Sequence, residues 1–78
     1  MNKKSFIITF GQIHTHRIDG KTIDKDCVVQ IDAPNEFLAY EKAKTLFGEN
    51  WSGIEKKQEY TDEVAEFFPR GIVATFKV

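Results

Sequence analysis

From residue 5 onward the apolar side chains Phe6, Ile8 and Phe10 recur at every second position, with Ile7, Thr9, Ile13 and Thr15 as β-branched residues along the same stretch. A period of two in a β-branched run predicts a long strand, over residues 5–18, that buries one face. Asp19-Gly20 follows, a pair that tolerates positive φ at both central positions of a type I′ turn, so a second strand is expected to run back over residues 21–32. With Ile18 opposite Lys21, Phe10 meets Val29, Ile8 meets Ile31 and Gln12 meets Cys27. Turn and hydrophobic pattern then agree on one face, carrying Phe6, Ile8, Phe10, Cys27, Val29 and Ile31. The same side continues through Gln12, His14, His16 and Ile18.

The cover for that face is expected from residues 34–47. Pro34 suits a first helical position, Glu36 favours the positive end of the helix dipole, and Gly48 supplies a left-handed stop. At about 100° per residue, Glu36, Ala39, Tyr40, Ala43, Leu46 and Phe47 share an arc, and the small Ala39 and Ala43 let the helix lie close to a sheet. Phe37 and Leu38 fall outside it. Residues 51–57 predict a third strand weakened by Ser52-Gly53, with Trp51 packed over the helix end. Thr61 is a candidate N-cap for a short helix to Phe68, ended by Pro69-Arg70-Gly71. In the last stretch Ile72, Ala74, Phe76 and Val78 alternate with Val73, Thr75 and Lys77, which predicts a terminal strand. A right-handed crossover through the main helix sets the third strand beside the first, antiparallel to it. The expected fold is α+β: a two-layer, mostly antiparallel sheet in ββαβ(α)β order with helices on one face.

Length and composition narrow the classes. A chain of 78 residues, 41% hydrophobic with seven Phe, is expected to form a single domain over residues 1–78 around one core. The lone cysteine excludes an intramolecular disulfide, which fits a reducing, cytoplasmic setting. No apolar run reaches the roughly 18 residues that span a bilayer, and the start Met1-Asn2-Lys3-Lys4 leads into an apolar run too short for a signal peptide. Neither insertion in a membrane nor secretion is expected. A net charge of −1 gives no general attraction for nucleic acid or anionic lipid, so either partner would need a local patch.

His14-Thr15-His16 is the sharpest candidate for chemistry, because residues two apart on a strand point to the same side. In the register above Cys27 joins them, giving three ligands of types that zinc accepts. The alternative is two histidines near the turn end of a hairpin that are partly solvated strand residues, or that line the mouth between sheet and helix through ordinary hydrogen bonds. Cys27 as a nucleophile is disfavoured by the core strand around it. The five glycines are scattered, with no phosphate-cradling loop. Carboxylates gather late in the chain, at Glu55, Glu59, Asp62, Glu63 and Glu66, while Lys3, Lys4, Arg17, Lys21 and Lys25 weight the first third towards positive charge. Such polarity is either ordinary solvation or an acidic surface that steers a basic partner. Phe37 and Leu38, with Phe67, are candidates for exposed apolar surface of the kind that marks a protein contact.

The pattern Thr9-Phe10-Gly11-Gln12-Ile13-His14-Thr15-His16, followed by Asp19-Gly20 and by Leu46-Phe47-Gly48-Glu49-Asn50-Trp51, resembles that of small uncharacterised proteins of bacteriophages and mobile elements. The resemblance implies a short, non-enzymatic accessory protein that binds and blocks a host defence protein, as anti-CRISPR proteins do. The expected function is therefore binding to a macromolecular partner, a protein rather than nucleic acid, by a monomer or small homo-oligomer without a cofactor. The binding candidates are Phe37, Leu38, Glu59, Asp62, Glu63 and Glu66. The alternative is a metal- or small-ligand-binding domain using His14, His16 and Cys27, with zinc as the metal.

Overall fold

The computed structural model describes residues 4–11 and 14–78. Residues 1–3, Gln12 and Ile13 lie outside the described residues, so the expected pairing of Gln12 with Cys27, and the positions of Lys3 and Ile13, lie outside them too. In chain order the elements are β1 (Lys4–Thr9), β2 (His16–Ile18), β3 (Lys21–Ile23), β4 (Cys27–Ala33), α1 (Glu36–Phe47), β5 (Gly53–Lys56), a single 3-10 turn (Lys57–Glu59), α2 (Asp62–Ala65) and β6 (Gly71–Lys77). A four-stranded sheet runs β5-β1-β4-β6, and β2 and β3 form a separate two-stranded hairpin. The α+β class holds. The β1–β4 and β1–β5 pairings are antiparallel, as expected, and β6 adds to β4 in parallel.

The first two predicted strands are each broken into two. Asp19 and Gly20 take φ of 52° and 79° and set Ile18 opposite Lys21, as the turn chemistry requires. That register does not reach the main sheet, where Phe6 meets Ile31 and Ile8 meets Val29. Ile8 is therefore two residues away from its expected partner, Ile31. The break has a local cause on each arm. On one arm the Asp24 carboxylate accepts from the Asp26 N–H at 3.0 Å and the Asp24 carbonyl from the Cys27 N–H at 3.3 Å, a tight turn that competes with ladder pairing. On the other, Gly11 has a φ of 67°, and a Cβ there would lie 3.3 Å from the Ser52 Cβ. Because the slip is even, each side chain keeps its face. Phe6, Ile8, Phe10, Cys27, Val29 and Ile31 all belong to the buried cluster, together with Ile23, Ala33, Ala39, Ala43 and Phe47.

α1 covers this face. Its N-cap is Asn35, whose side chain accepts from the Leu38 N–H at 2.9 Å, so Pro34 precedes the cap rather than occupying a first helical position. At the other end Gly48, at φ 67°, donates its N–H to the Lys44 carbonyl at 2.8 Å. Ala39, Ala43 and Phe47 are buried, but the arc turns towards Leu38, Lys42 and Leu46, which are partly buried, and away from Glu36 and Tyr40, which are exposed. Tyr40 instead meets Trp51, ring centroids 5.4 Å apart, and the Trp51 Nε1–H closes on the Gly48 carbonyl at 2.9 Å.

The reverse face is also partly covered. Ile7 and Val28 point away from α1 yet are fully buried, outside the cluster beneath it. The connection from β5 to β6 crosses the sheet in the opposite direction to the one through α1, and right-handed crossovers of opposite direction use opposite faces. Its partly buried residues Tyr60, Val64, Ala65 and Phe68 are likewise outside the α1 cluster. The single turn of α2 thus adds to the reverse face, leaving α1 as the helical layer of the other. In β6 the alternation is interrupted by a bulge opposite Val28/Val29, which brings Val73 in beside Ala74 and Phe76 and leaves Ile72 exposed. Among the described residues no helix is long and apolar enough to cross a membrane.

Candidate functional site

The histidine–cysteine trio does not assemble. His14 falls in irregular chain ahead of β2, not two residues along a strand from His16. The His16 Nε2 lies 2.7 Å from the Asn50 carbonyl, and its ring packs against the touching pair Phe10 and Phe47 at centroid distances of 5.7 and 4.9 Å. It seals the mouth between hairpin and helix by packing and one hydrogen bond. Cys27 is buried at the head of β4, where its sulfur accepts from the Asp24 N–H at 3.2 Å and its S–H points to the Asp24 carbonyl at 3.5 Å. Burial pushes the thiol above its ordinary value, against the opposing effects of the Asp24 backbone and Arg70, so the thiolate that a nucleophile or zinc ligand requires is disfavoured. Among the described residues no group of three or more His, Cys, Asp or Glu is placed to hold a metal ion. The expected metal site at His14, His16 and Cys27 is corrected on this point.

The late acidic segment is better organised. Thr61 caps α2 by accepting from the Val64 N–H at 3.4 Å. The turn continues beyond α2, with the Phe67 and Phe68 N–H groups each 3.0 Å from the carbonyls of Val64 and Ala65. In a turn bonded in this way residues three apart share a side, so Glu63 sits with Glu66, with Asp62 before them in the chain and Phe67 after. All four are exposed, while Val64, Ala65 and Phe68 face inward. Phe67 is 76% exposed, an aromatic ring on a short segment whose other exposed residues include three carboxylates. The segment is anchored where the Arg70 N–H meets the Asp26 carbonyl at 2.9 Å and where the Arg70 guanidinium reaches Asp24 at 3.5 Å. Glu59 is exposed but turned inward on the chain, accepting from the Lys56 N–H at 3.2 Å.

The other candidates divide. Phe37 is 68% exposed on the first turn of α1, across the sheet from Phe67, so the two rings do not form one surface. Leu38, expected outside the apolar arc, packs against the core. Two clefts also went unnoticed in the sequence. One, lined by Tyr40, Lys44, Gly48, Glu49 and Trp51, is the closure of the α1 C-terminus already described. The other gathers Lys4, Lys56 and Lys57; only the adjacent lysine pair was visible in sequence, because Lys4 joins it through the pairing of Phe6 with Lys56.

Compared with models of protein families, with curated proteins and with solved structures, the chain matches none.

Proposed function

We propose that this chain is a non-enzymatic binding protein that docks the Asp62, Glu63, Glu66 and Phe67 surface onto a basic macromolecular partner and acts by occluding it, the anti-defence role implied by its resemblance to small uncharacterised phage and mobile-element proteins. The observation that carries this reading is the exposed Phe67 on an anchored, capped turn whose outward side is otherwise acidic. An exposed aromatic supplies contact area at low entropic cost, and the carboxylates around it steer a positively charged surface to it. The basic partner is a protein, since the same carboxylates repel nucleic acid.

Capture with a tagged copy from host lysate, at low and at high salt, tests this. A specific basic protein should be retained at low salt and lost as salt rises, and both Phe67→Ala and the neutralising pair Asp62→Asn/Glu63→Gln should abolish retention. No specific protein at either salt, or retention indifferent to both variants, would overturn it. The histidine-based ligand reading finds no supporting contact.

A further inference from the structure

We propose that the cleft between the start of β1 and the end of β5 binds a small phosphorylated ligand through Lys4, Lys56 and Lys57. The cleft, of about 450 Å³, is lined by Lys4, Ser5, Phe6, Lys56, Lys57 and Gln58, so three of its six lining residues are lysines and none is acidic. The antiparallel register that places Lys56 against Phe6 brings the lysines together, although they lie more than fifty residues apart in sequence. Among the described residues the ion pairs within 4 Å are Lys25–Asp26 and Arg70–Asp24, and none involves a cleft lysine. Glu55, next to Lys56 in the chain, stands opposite Ile7 and so faces the other side of the sheet, and Glu59 is turned onto the Lys56 backbone N–H at 3.2 Å. Asp32 is engaged by the Ser5 hydroxyl at 2.8 Å and the Gln30 amide at 2.9 Å. Three like charges held on one concavity repel each other, and a multivalent anion relieves that repulsion where a chloride ion does so poorly.

The chemistry of the lining selects among anions. Lysine is a point charge with rotatable donors, suited to a tetrahedral phosphate, whereas planar carboxylate recognition favours the arginine fork, which this cleft lacks. Gln58 can add an amide donor, while the Ser5 hydrogen is committed to Asp32. Phe6 is only 2% exposed, so it forms an apolar floor and offers no face on which a base could stack, as single-stranded nucleic acid requires. The site is distinct from the acidic surface around Phe67, and neither depends on the other.

Titration of the ¹⁵N-labelled full chain with sodium pyrophosphate at fixed ionic strength tests the proposal. The amides of Lys4, Ser5, Lys56, Lys57 and Gln58 should shift saturably. Lys56→Gln/Lys57→Gln should weaken binding about tenfold or more, while Lys44→Gln/Lys77→Gln, which removes the same charge elsewhere, should leave it within about twofold. All four lysines are exposed, and an otherwise unchanged amide spectrum verifies each fold. The proposal is overturned by non-saturating shifts, by equal shifts with sodium chloride, by equal weakening in the two double variants, or by a cleft that answers an oligonucleotide but not pyrophosphate.

Discussion

Two histidines separated by one residue meet different fates. His16 gains the Asn50 carbonyl and two phenylalanine rings, so His16→Ala should cost about 1.5 kcal/mol in chemical denaturation. His14→Ala should change stability by about 0.5 kcal/mol or less. A larger loss at His14 would mean that it holds structure its loop position does not show. Cys27 makes a prediction in pH. Its folded-state value is raised by burial above the ordinary 9.0, so above that pH the unfolded chain releases a proton that the folded chain retains. The unfolded state then binds fewer protons, and stability falls as pH rises through this window. Urea unfolding of the wild type against Cys27→Ala should show the extra alkaline loss in the wild type alone; parallel curves would contradict it.

At the scale of elements, α1 is bounded by two specific devices, and each should be measurable alone. Asn35→Ala removes the side-chain acceptor for the Leu38 N–H and should cost about 1 kcal/mol. Gly48→Ala forces a side chain onto φ 67° and ψ −128° and should cost about 1 to 2 kcal/mol, although nothing lies within 4 Å of the added Cβ. The penalty at Gly48 is therefore purely of backbone conformation, which substitution by Asn, tolerant of positive φ, should only partly recover. Thermal or urea melts of the three variants check the order. The β2–β3 hairpin has a further role visible at this scale: its Lys21 ammonium donates to the Val73 carbonyl at 3.2 Å, covering part of the outer edge of β6 against pairing with another chain.

Across the whole molecule, both faces of the sheet are covered at least in part, by α1 on one and by the 57–70 connection on the other. That connection turns its partly buried residues inward and leaves Asp62, Glu63, Glu66 and Phe67 outward. Phe67→Ala should accordingly leave stability within about 0.5 kcal/mol of the wild type, measured by urea unfolding, even though it removes a large ring. A loss several times greater would place the ring in the fold rather than on a contact surface. Charge is distributed with the same separation. The acidic turn lies on the reverse face, and Lys4, Lys56 and Lys57, which form no ion pair among the described residues, gather at the β1–β5 end, so a chain of net charge −1 presents two local fields of opposite sign.

Much of this was legible in the residues themselves. The Asp19-Gly20 turn, the stop at Gly48, the Thr61 cap and the six side chains that face α1 from the first half of the chain follow from backbone sterics and from periods of two and 3.6 residues, which operate within a few positions. Register did not follow, because a slip of two residues leaves the alternation of faces unchanged and only the pairing of Ile8 with Val29 reveals it. The orientation of α1 was also decided by the surface it lies on, which turns Leu38 partly inward and leaves Tyr40 exposed. So was the fate of the histidines: a regular strand would have aligned both with Cys27, but the Asp24 turn and the bend at Gly11 separate them. The lysine cleft lies furthest from sequence. Lys4 and Lys56 become neighbours only when β5 crosses back to pair with β1, a long-range contact that no local pattern encodes.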